Sequence, residues 1–169
     1  MNKAASQRPS IKVERTNFQR ILGVASFVIL VMFWIYLFTE WTSIPDKIPT
    51  HFGVLGEVDS WGSKNSVLML PVIMTALYLL LTILSAFPQY YNYTVTITVE
   101  NAAAQYKNAR TLMLWITLQL VAVFSYITYI SIQIGLGNNK GLGIWSLPVF
   151  LVGVFGTVIY YIRRMVKLK

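Results

Sequence analysis

The chain has 169 residues, of which 56% are hydrophobic and 12% charged, and its formal net charge is +8. Soluble domains carry about 25% charged residues, so this composition argues against a water-soluble core and predicts a membrane-embedded one. The sequence contains no cysteine, which excludes disulfides, thiolate metal sites and cysteine nucleophiles. The cations stand at the ends of apolar runs, where they set membrane topology, so we do not expect a nucleic-acid partner.

The chain begins with a polar, basic segment, residues 1–17, which we expect to be cytoplasmic and poorly ordered. Four uncharged apolar runs follow, and each has roughly the 20 residues that a helix needs to cross a bilayer. The first is not a cleaved signal sequence, because Leu37 and Phe38 occupy the place of a small-residue cleavage site. We therefore predict an all-α integral membrane protein, with residues 18–169 forming one four-helix domain. The predicted spans are residues 21–38, 67–87, 111–134 and 144–162.

The lysines and arginines orient these four spans. Eleven of the fourteen lie before the first span, between the second and third spans (residues 88–110), or after the fourth. Only Lys47, Lys64 and Lys140 lie on the other side. The positive-inside rule then predicts a multi-pass membrane protein with both termini and the middle connection in the cytoplasm. The loop at residues 40–65, between the first two spans, faces outward.

The cytoplasmic connection, residues 88–110, has two predicted halves. Between Tyr93 and Val99, apolar residues alternate with threonines, and this period of two is typical of a short strand. Such a strand would lie at the lipid interface or pair with a second copy of the chain. Thr98 then caps a helix that continues into the third span, and Val99–Ile134 would be about 54 Å long.

The predicted spans contain no Asp, Glu, Lys, Arg or His. This argues against ion-coupled pumps, proton relays and intramembrane proteases, which use such groups at membrane depth. Among the polar residues that remain, Thr117 and Gln119 either line a pathway or form hydrogen bonds between helices. We prefer the second interpretation, because it is the commoner use of such residues in membranes.

The outward loop carries the candidate site. Pro45 and Pro49 force extended backbone before them, so the first helix cannot continue. Gly53 and Gly56 permit tight turns around an apolar patch, which we expect to fold back onto the bundle. The patch consists of Phe52, Val54 and Leu55.

Ionisable side chains in this loop allow several arrangements. His51 can converge with Asp46, Glu57 or Asp59. A metal would need more nitrogen or sulfur ligands than one histidine supplies, so we predict no metal site and no cofactor. Lys64 opens the second span, where the helix dipole disfavours a cation. We predict that a contact with Asp59 offsets this cost and holds the loop on the helix; a solvated Lys64 is the alternative.

Two blocks of residues resemble a known family. The first runs through Ile44-Pro45, Ile48-Pro49, His51-Phe52, Gly56, Asp59 and Trp61–Lys64. The second runs through Asn92-Tyr93, Ile97, Glu100-Asn101, Gln105-Tyr106 and Arg110. Both are similar to an uncharacterised bacterial membrane domain, which also forms the N-terminal part of SdpI-type immunity proteins of Gram-positive bacteria. The resemblance implies a protein of the bacterial cytoplasmic membrane whose loop is the shared element, and an immunity role. This chain lacks the additional membrane helices of the full immunity proteins, so a function located there does not carry over.

We therefore expect a non-enzymatic membrane module whose outward loop recognises, or protects against, a peptide or toxin. A small homo-oligomeric transporter or channel subunit and an accessory subunit of a membrane complex are the alternatives. A membrane-surface enzyme that uses His51 with Glu57 or Asp59 is a further one. The expected partners are the bilayer and a peptide or toxin at the outer face, and no catalytic residue is assigned. The residues predicted to bind the ligand or shape the loop are Pro49, His51, Phe52, Gly56, Asp59 and Lys64.

Overall fold

A computed structural model describes residues 8–169. It contains four long helices, each long and apolar enough to cross a membrane. The chain is therefore mostly helical, as predicted. The helices are α1 (Asn17–Glu40), α2 (Met69–Leu84), α3 (Ala102–Gly135) and α4 (Ser146–Lys167).

A capping box fixes where α1 begins, and a hydrogen-bonded turn precedes α3. Thr16 and Gln19 exchange side-chain to backbone hydrogen bonds of 3.2 Å, which satisfy free amides in the first turn of α1. Before α3, the Thr98 hydroxyl accepts from the Asn101 amide at 3.3 Å, and the Asn101 side chain accepts from the Thr98 amide at 2.9 Å. The 34 residues of α3 span about 51 Å, which confirms one continuous helix through the third span.

The second span is shorter at its end than predicted. A 3-10 turn, Lys64–Leu68, leads into α2, which ends at Leu84 rather than at residue 87. Phe87 has non-helical backbone angles, because the residue before a proline disfavours the α conformation. A short 3-10 helix, Pro88–Tyr90, then starts the connection to α3.

The central helix is α3, which packs against α1, α2 and α4. The core lies mainly where α1, α2 and α3 meet, and includes Leu37, Met74, Val121 and Ile132. By contrast, α4 packs almost entirely on α3. Three amide side chains of α3 donate hydrogen bonds of 2.8 to 3.1 Å to backbone carbonyls of α4. They are Gln105, Asn108 and Gln119.

The segment between α1 and α2 is a β-hairpin, and this corrects the prediction that the chain is all-α. Strand β1 (Lys47–Phe52) runs antiparallel to strand β2 (Val58–Ser63). The pairs Lys47–Ser63 and Pro49–Trp61 set the register. The prolines hold the first arm extended and the turn between the arms reverses the chain, so the two arms satisfy each other's backbone groups.

The strand predicted for Tyr93–Val99 is absent from residues 8–169, and that prediction is wrong. The period of two is present, but no neighbouring strand provides a ladder of hydrogen bonds. Side chains attach the segment instead. The Tyr93 hydroxyl donates to the carbonyl of Pro88 at 2.8 Å, and the Thr94 hydroxyl contacts the Met165 sulfur at 3.4 Å.

The basic N-terminal segment is not poorly ordered over residues 8–16, which corrects that part of the prediction; residues 1–7 lie outside the described part. The carbonyl of Pro9 accepts from the Tyr106 hydroxyl at 2.9 Å, and the carbonyl of Val13 accepts from Arg110 at 2.8 Å. The bundle thus has two different ends. The hairpin end holds residues 44–64 and 136–145, and the basic end holds residues 8–16, 85–101 and 163–169.

Candidate functional site

The base of the hairpin is anchored in the core. Ile44 and Ile48 are 3% and 1% exposed, and both belong to the same buried cluster as Leu37 of α1. At the end of α3, a Cβ on Gly135 would lie only 2.9 Å from the ring of Pro45. Glycine at this position therefore lets the hairpin pack directly on α3.

The tip of the hairpin is attached to the connection between α3 and α4. Gly56 has a φ of +83°, and an added Cβ there would lie 2.8 Å from the carbonyl oxygen of Gly143. The Gly56 carbonyl accepts from the Leu142 amide at 2.8 Å, and Glu57 forms a β-bridge with Gly141. The two loops at this end thus hold each other, and the hairpin is fixed at both its base and its tip.

His51 and Asp59 meet across the two strands. The Nδ1 atom of His51 lies 2.6 Å from Oδ1 of Asp59, and this is the one ion-pair geometry among residues 8–169. The two side chains are 69% and 45% exposed. The register of the hairpin brings the residues close to each other, with a local irregularity at His51. Of the carboxylates that the sequence offered as partners for His51, the structure selects Asp59.

Apolar side chains project from the same hairpin. Val54, Leu55 and Trp61 are 75%, 61% and 53% exposed. Val54 and Leu55 were expected to fold back onto the bundle, and that expectation is wrong because the turn between Gly53 and Gly56 carries them outward at the tip. We call the exposed side chains of His51, Val54, Leu55, Asp59 and Trp61 the hairpin surface.

Pro49 and Phe52 face the bundle and support the hairpin from below. Pro49 is buried and Phe52 is half-buried. Both line a small cavity of about 50 Å³ that Val67 and Thr128 close from the helices. These two residues, like Gly56, hold the hairpin in place and do not contribute to its exposed surface.

Lys64 does not contact Asp59, and the predicted latch between them is wrong. The Lys64 ammonium instead lies 5.0 Å from the centre of the Trp41 ring. The backbone amide of Lys64 donates to the carbonyl of Asp46 at 2.9 Å, which closes the base of the hairpin. Asp59 is engaged by His51 on the other strand, so a cation–π contact takes the place of the expected ion pair.

The hairpin does not assemble a cluster of metal ligands. No three His, Cys, Asp or Glu side chains converge within residues 8–169. His51 and Asp59 together offer one nitrogen and one carboxylate, whereas zinc sites use three or four protein ligands. What the pair can do is donate and accept hydrogen bonds at an exposed surface.

The two residues considered as path-lining form hydrogen bonds within the bundle. The Thr117 hydroxyl donates to the carbonyl of Met113 in its own helix at 2.9 Å. The Gln119 amide donates to the carbonyl of Gly153 at 3.1 Å and to the Thr157 hydroxyl at 2.9 Å. The contacts of Gln119 join two helices and favour the interpretation of hydrogen bonds between helices, whereas the Thr117 bond stays within α3.

Sequence reasoning missed two features. The first is the docking of the α3–α4 connection on Gly56, for which the closely spaced glycines 141 and 143 were the available signal. The second is a polar cluster at the basic end, formed by Gln105, Tyr106 and Arg110. Their polarity at helical spacing was visible, but nothing local revealed that Tyr106 and Arg110 bond to residues 8–16 and Gln105 to the end of α4.

Residues 28–75 match a family described as "Domain of unknown function (DUF1648)". We call this stretch the DUF1648 segment. The DUF1648 segment runs from the middle of α1 through the whole hairpin into α2, which confirms the resemblance to an uncharacterised membrane domain. The link to immunity proteins rests on the sequence resemblance alone.

The chain is also similar to an archaeal protein. An uncharacterized protein of Archaeoglobus fulgidus is 29% identical over 75 residues, which cover 40% of this chain and 41% of that protein. The match thus spans less than half of either chain, and it names no activity. No solved structure matches the chain.

Proposed function

We propose that this protein is a membrane-embedded, non-enzymatic module whose hairpin surface binds an extended peptide or a peptide toxin. The observation that carries the proposal is the combination of a fixed backbone with exposed side chains. The hairpin is anchored by Ile48 at its base and by Gly56 at its tip, yet it presents His51, Asp59 and Trp61 to the outside. A preorganised surface loses little conformational freedom on binding.

Strand β2 (Val58–Ser63) supplies the way in which a peptide would bind. It pairs with β1 on one side, and within residues 8–169 no strand pairs with the length of its other side. An extended peptide can add to such an edge through main-chain hydrogen bonds. Trp61 would then contact apolar side chains of the peptide, and the His51–Asp59 pair would contact polar ones.

The orientation follows from the distribution of charge. We infer that the basic end faces the cytoplasm of a bacterial cell and that the hairpin end faces outward, since ten of the cations within residues 8–169 belong to the basic end or to its adjoining helix turns and only three lie toward the hairpin end. In this orientation the hairpin meets peptides that approach the cell from outside. This is the side on which a protective or immunity function would act.

Challenge with membrane-active peptides tests the proposal. Cells that lack the gene should become more sensitive to at least one peptide of a broad panel, and the wild-type gene should restore resistance. His51→Ala and Trp61→Ala should fail to restore it, whereas Lys140→Gln, an exposed change in the neighbouring loop, should succeed. Unchanged sensitivity across the panel would count against a protective role.

An enzyme is the second candidate, because a carboxylate that holds an imidazole at 2.6 Å also orients it for acid–base chemistry. The exposure of the pair argues against this, since catalytic groups usually lie in a concave site. His51→Ala with full cellular function retained would exclude it. A transporter is less well supported, because Gln119 is occupied by its contact with α4; solute flux in reconstituted vesicles would revive that alternative.

A further inference from the structure

The basic end contains a buried cation without an acidic partner. Arg110 is 5% exposed and donates to the carbonyls of Ser85 at 3.0 Å and Val13 at 2.8 Å. All six carboxylate side chains of the sequence lie within residues 8–169, and the one that lies within ion-pair distance of a basic side chain is Asp59, beside His51. A buried charge that is left unpaired is costly, so the site favours an anion from outside the chain.

The tyrosines beside Arg110 do not supply that anion. Burial raises the pKa of Tyr91 to about 12, and the positive charge of Arg110 opposes the shift only in part. Burial also raises the pKa of Tyr93. Both phenols therefore stay neutral at physiological pH. The positive charge of Arg110 is balanced by carbonyl dipoles alone.

Arg110 lies in the wall of an open cavity of about 550 Å³ between the N-terminal segment and the end of α2. Lys12 and Arg15 line the same cavity, and Glu14 is the one acidic residue on its wall. The cavity thus has three cations and one carboxylate. A phosphate group offers several acceptor oxygens to such a cluster, and arginine is well suited to bind it.

A second groove lies beside this cavity. Arg15 lines both, and the groove has a volume of about 280 Å³. It runs beside α1 and α2, which make few direct contacts with each other, and its apolar walls include Val24, Phe27 and Leu114. A phosphate bound by Arg110 and an apolar chain lying in the groove would belong to one amphipathic molecule.

We propose that the basic end binds an anionic phospholipid, with its phosphate at Arg110, Lys12 and Arg15 and an acyl chain between α1 and α2. Arg110 supplies the buried charge, and Lys12 and Arg15 supply exposed ones. The site lies at the end of the bundle opposite to the hairpin. A failure of the lipid proposal would therefore leave the proposed peptide recognition unaffected, and the reverse also holds.

The test uses the purified full chain in a neutral detergent. Phosphatidylglycerol, phosphatidylcholine and inorganic phosphate are titrated separately, and binding is measured by native mass spectrometry together with the thermal unfolding midpoint. We expect phosphatidylglycerol to bind at least tenfold more tightly than phosphatidylcholine and to raise the midpoint. Inorganic phosphate alone should leave the midpoint unchanged, because it cannot occupy the groove.

Two matched pairs of substitutions distinguish binding at this site from nonspecific electrostatic attraction of an anionic lipid to the basic end. Lys12→Gln with Arg15→Gln should weaken phosphatidylglycerol binding at least tenfold and leave the lipid-free midpoint unchanged, since both side chains are exposed. Arg163→Gln with Lys167→Gln removes the same charge from the same end and should weaken binding less than threefold. Equal losses from the two pairs would overturn the proposal in favour of nonspecific attraction.

Glu14 provides an internal check on the charge argument. Glu14→Gln should tighten phosphatidylglycerol binding, because it removes the one negative charge from the cavity wall. If Glu14→Gln instead lowered the lipid-free midpoint as far as Arg110→Gln does, Glu14 would be the natural counter-ion and the proposal would be wrong. Absence of phosphatidylglycerol binding to the wild type would also overturn the proposal, and Arg110 would then serve only to bond backbone carbonyls.

Discussion

The imidazole of His51 and the carboxylate of Asp59 lie 2.6 Å apart, although they belong to different strands of the hairpin. Both remain substantially exposed, so water competes for each partner. The contact orients the histidine ring more than it stabilises the fold. An oriented but exposed pair is suited to recognition, and its contribution to the free energy of unfolding should be small.

A double-mutant cycle on the pair should therefore show weak coupling. We expect His51→Ala and Asp59→Ala to couple by less than about 1 kcal/mol in the free energy of unfolding, as exposed ion pairs do. A parallel cycle on Asp59→Ala and Lys64→Ala should give no coupling, because Lys64 contacts Trp41 instead. Unfolding in detergent measures both. Coupling well above 1 kcal/mol for His51 and Asp59 would make the pair a structural element.

Gly56→Ala should destabilise the protein more than Gly137→Ala. Both glycines have positive φ angles, +83° and +80°, so both substitutions carry backbone strain. Only at Gly56 does the added Cβ also meet backbone, the carbonyl of Gly143 at 2.8 Å, whereas nothing lies within 4 Å at Gly137. Strain of this kind costs of order 1–3 kcal/mol, and the extra loss at Gly56 measures the contact between the two loops. Equal losses would show that the loops do not hold each other.

Gln105→Leu should loosen α4 more than Gln119→Leu does. Gln105 donates to two carbonyls near the end of α4, those of Met165 at 2.8 Å and Leu168 at 3.0 Å. Removing it takes this donor from both carbonyls, and that of Met165 keeps the Leu168 amide at 3.3 Å; the expected cost is about 1–3 kcal/mol. Gln119 donates to the carbonyl of Gly153, which also accepts from the Thr157 hydroxyl at 2.7 Å, so leucine at that position should change the free energy of unfolding by less than about 1 kcal/mol. Hydrogen exchange of the α4 amides reports the difference, and the reverse order would contradict it.

Cysteine labelling tests the inferred orientation. The sequence contains no cysteine, so single substitutions report without background. Leu55→Cys and Asn139→Cys, both exposed at the hairpin end, should react with a membrane-impermeant maleimide on intact cells. Glu100→Cys, exposed at the basic end, should react only after the membrane is opened. Labelling of Glu100→Cys on intact cells would reverse the orientation.

The helices could be predicted from the sequence because apolar runs without charge have few alternatives in a bilayer. The hairpin could not, because the tip turn at Gly56 is held by Gly143, which is remote in the chain. For Tyr93–Val99 the error was reversed: a strand was predicted and none forms, since a period of two makes no strand without a partner. Within the candidate site, convergence of His51 with a carboxylate was foreseen. The choice of Asp59 depended on strand register, which the sequence alone does not fix.

The contacts of the basic end also constrain the order of assembly during synthesis. Arg110 and Val13, which share a hydrogen bond, are separated by 97 positions in the chain. At about 5–20 residues per second, the ribosome needs about 5–20 s to make the intervening chain. Residues 8–16 are translated before α3, yet they can dock only after α3 has emerged. A segment that is made early thus reaches its final position late.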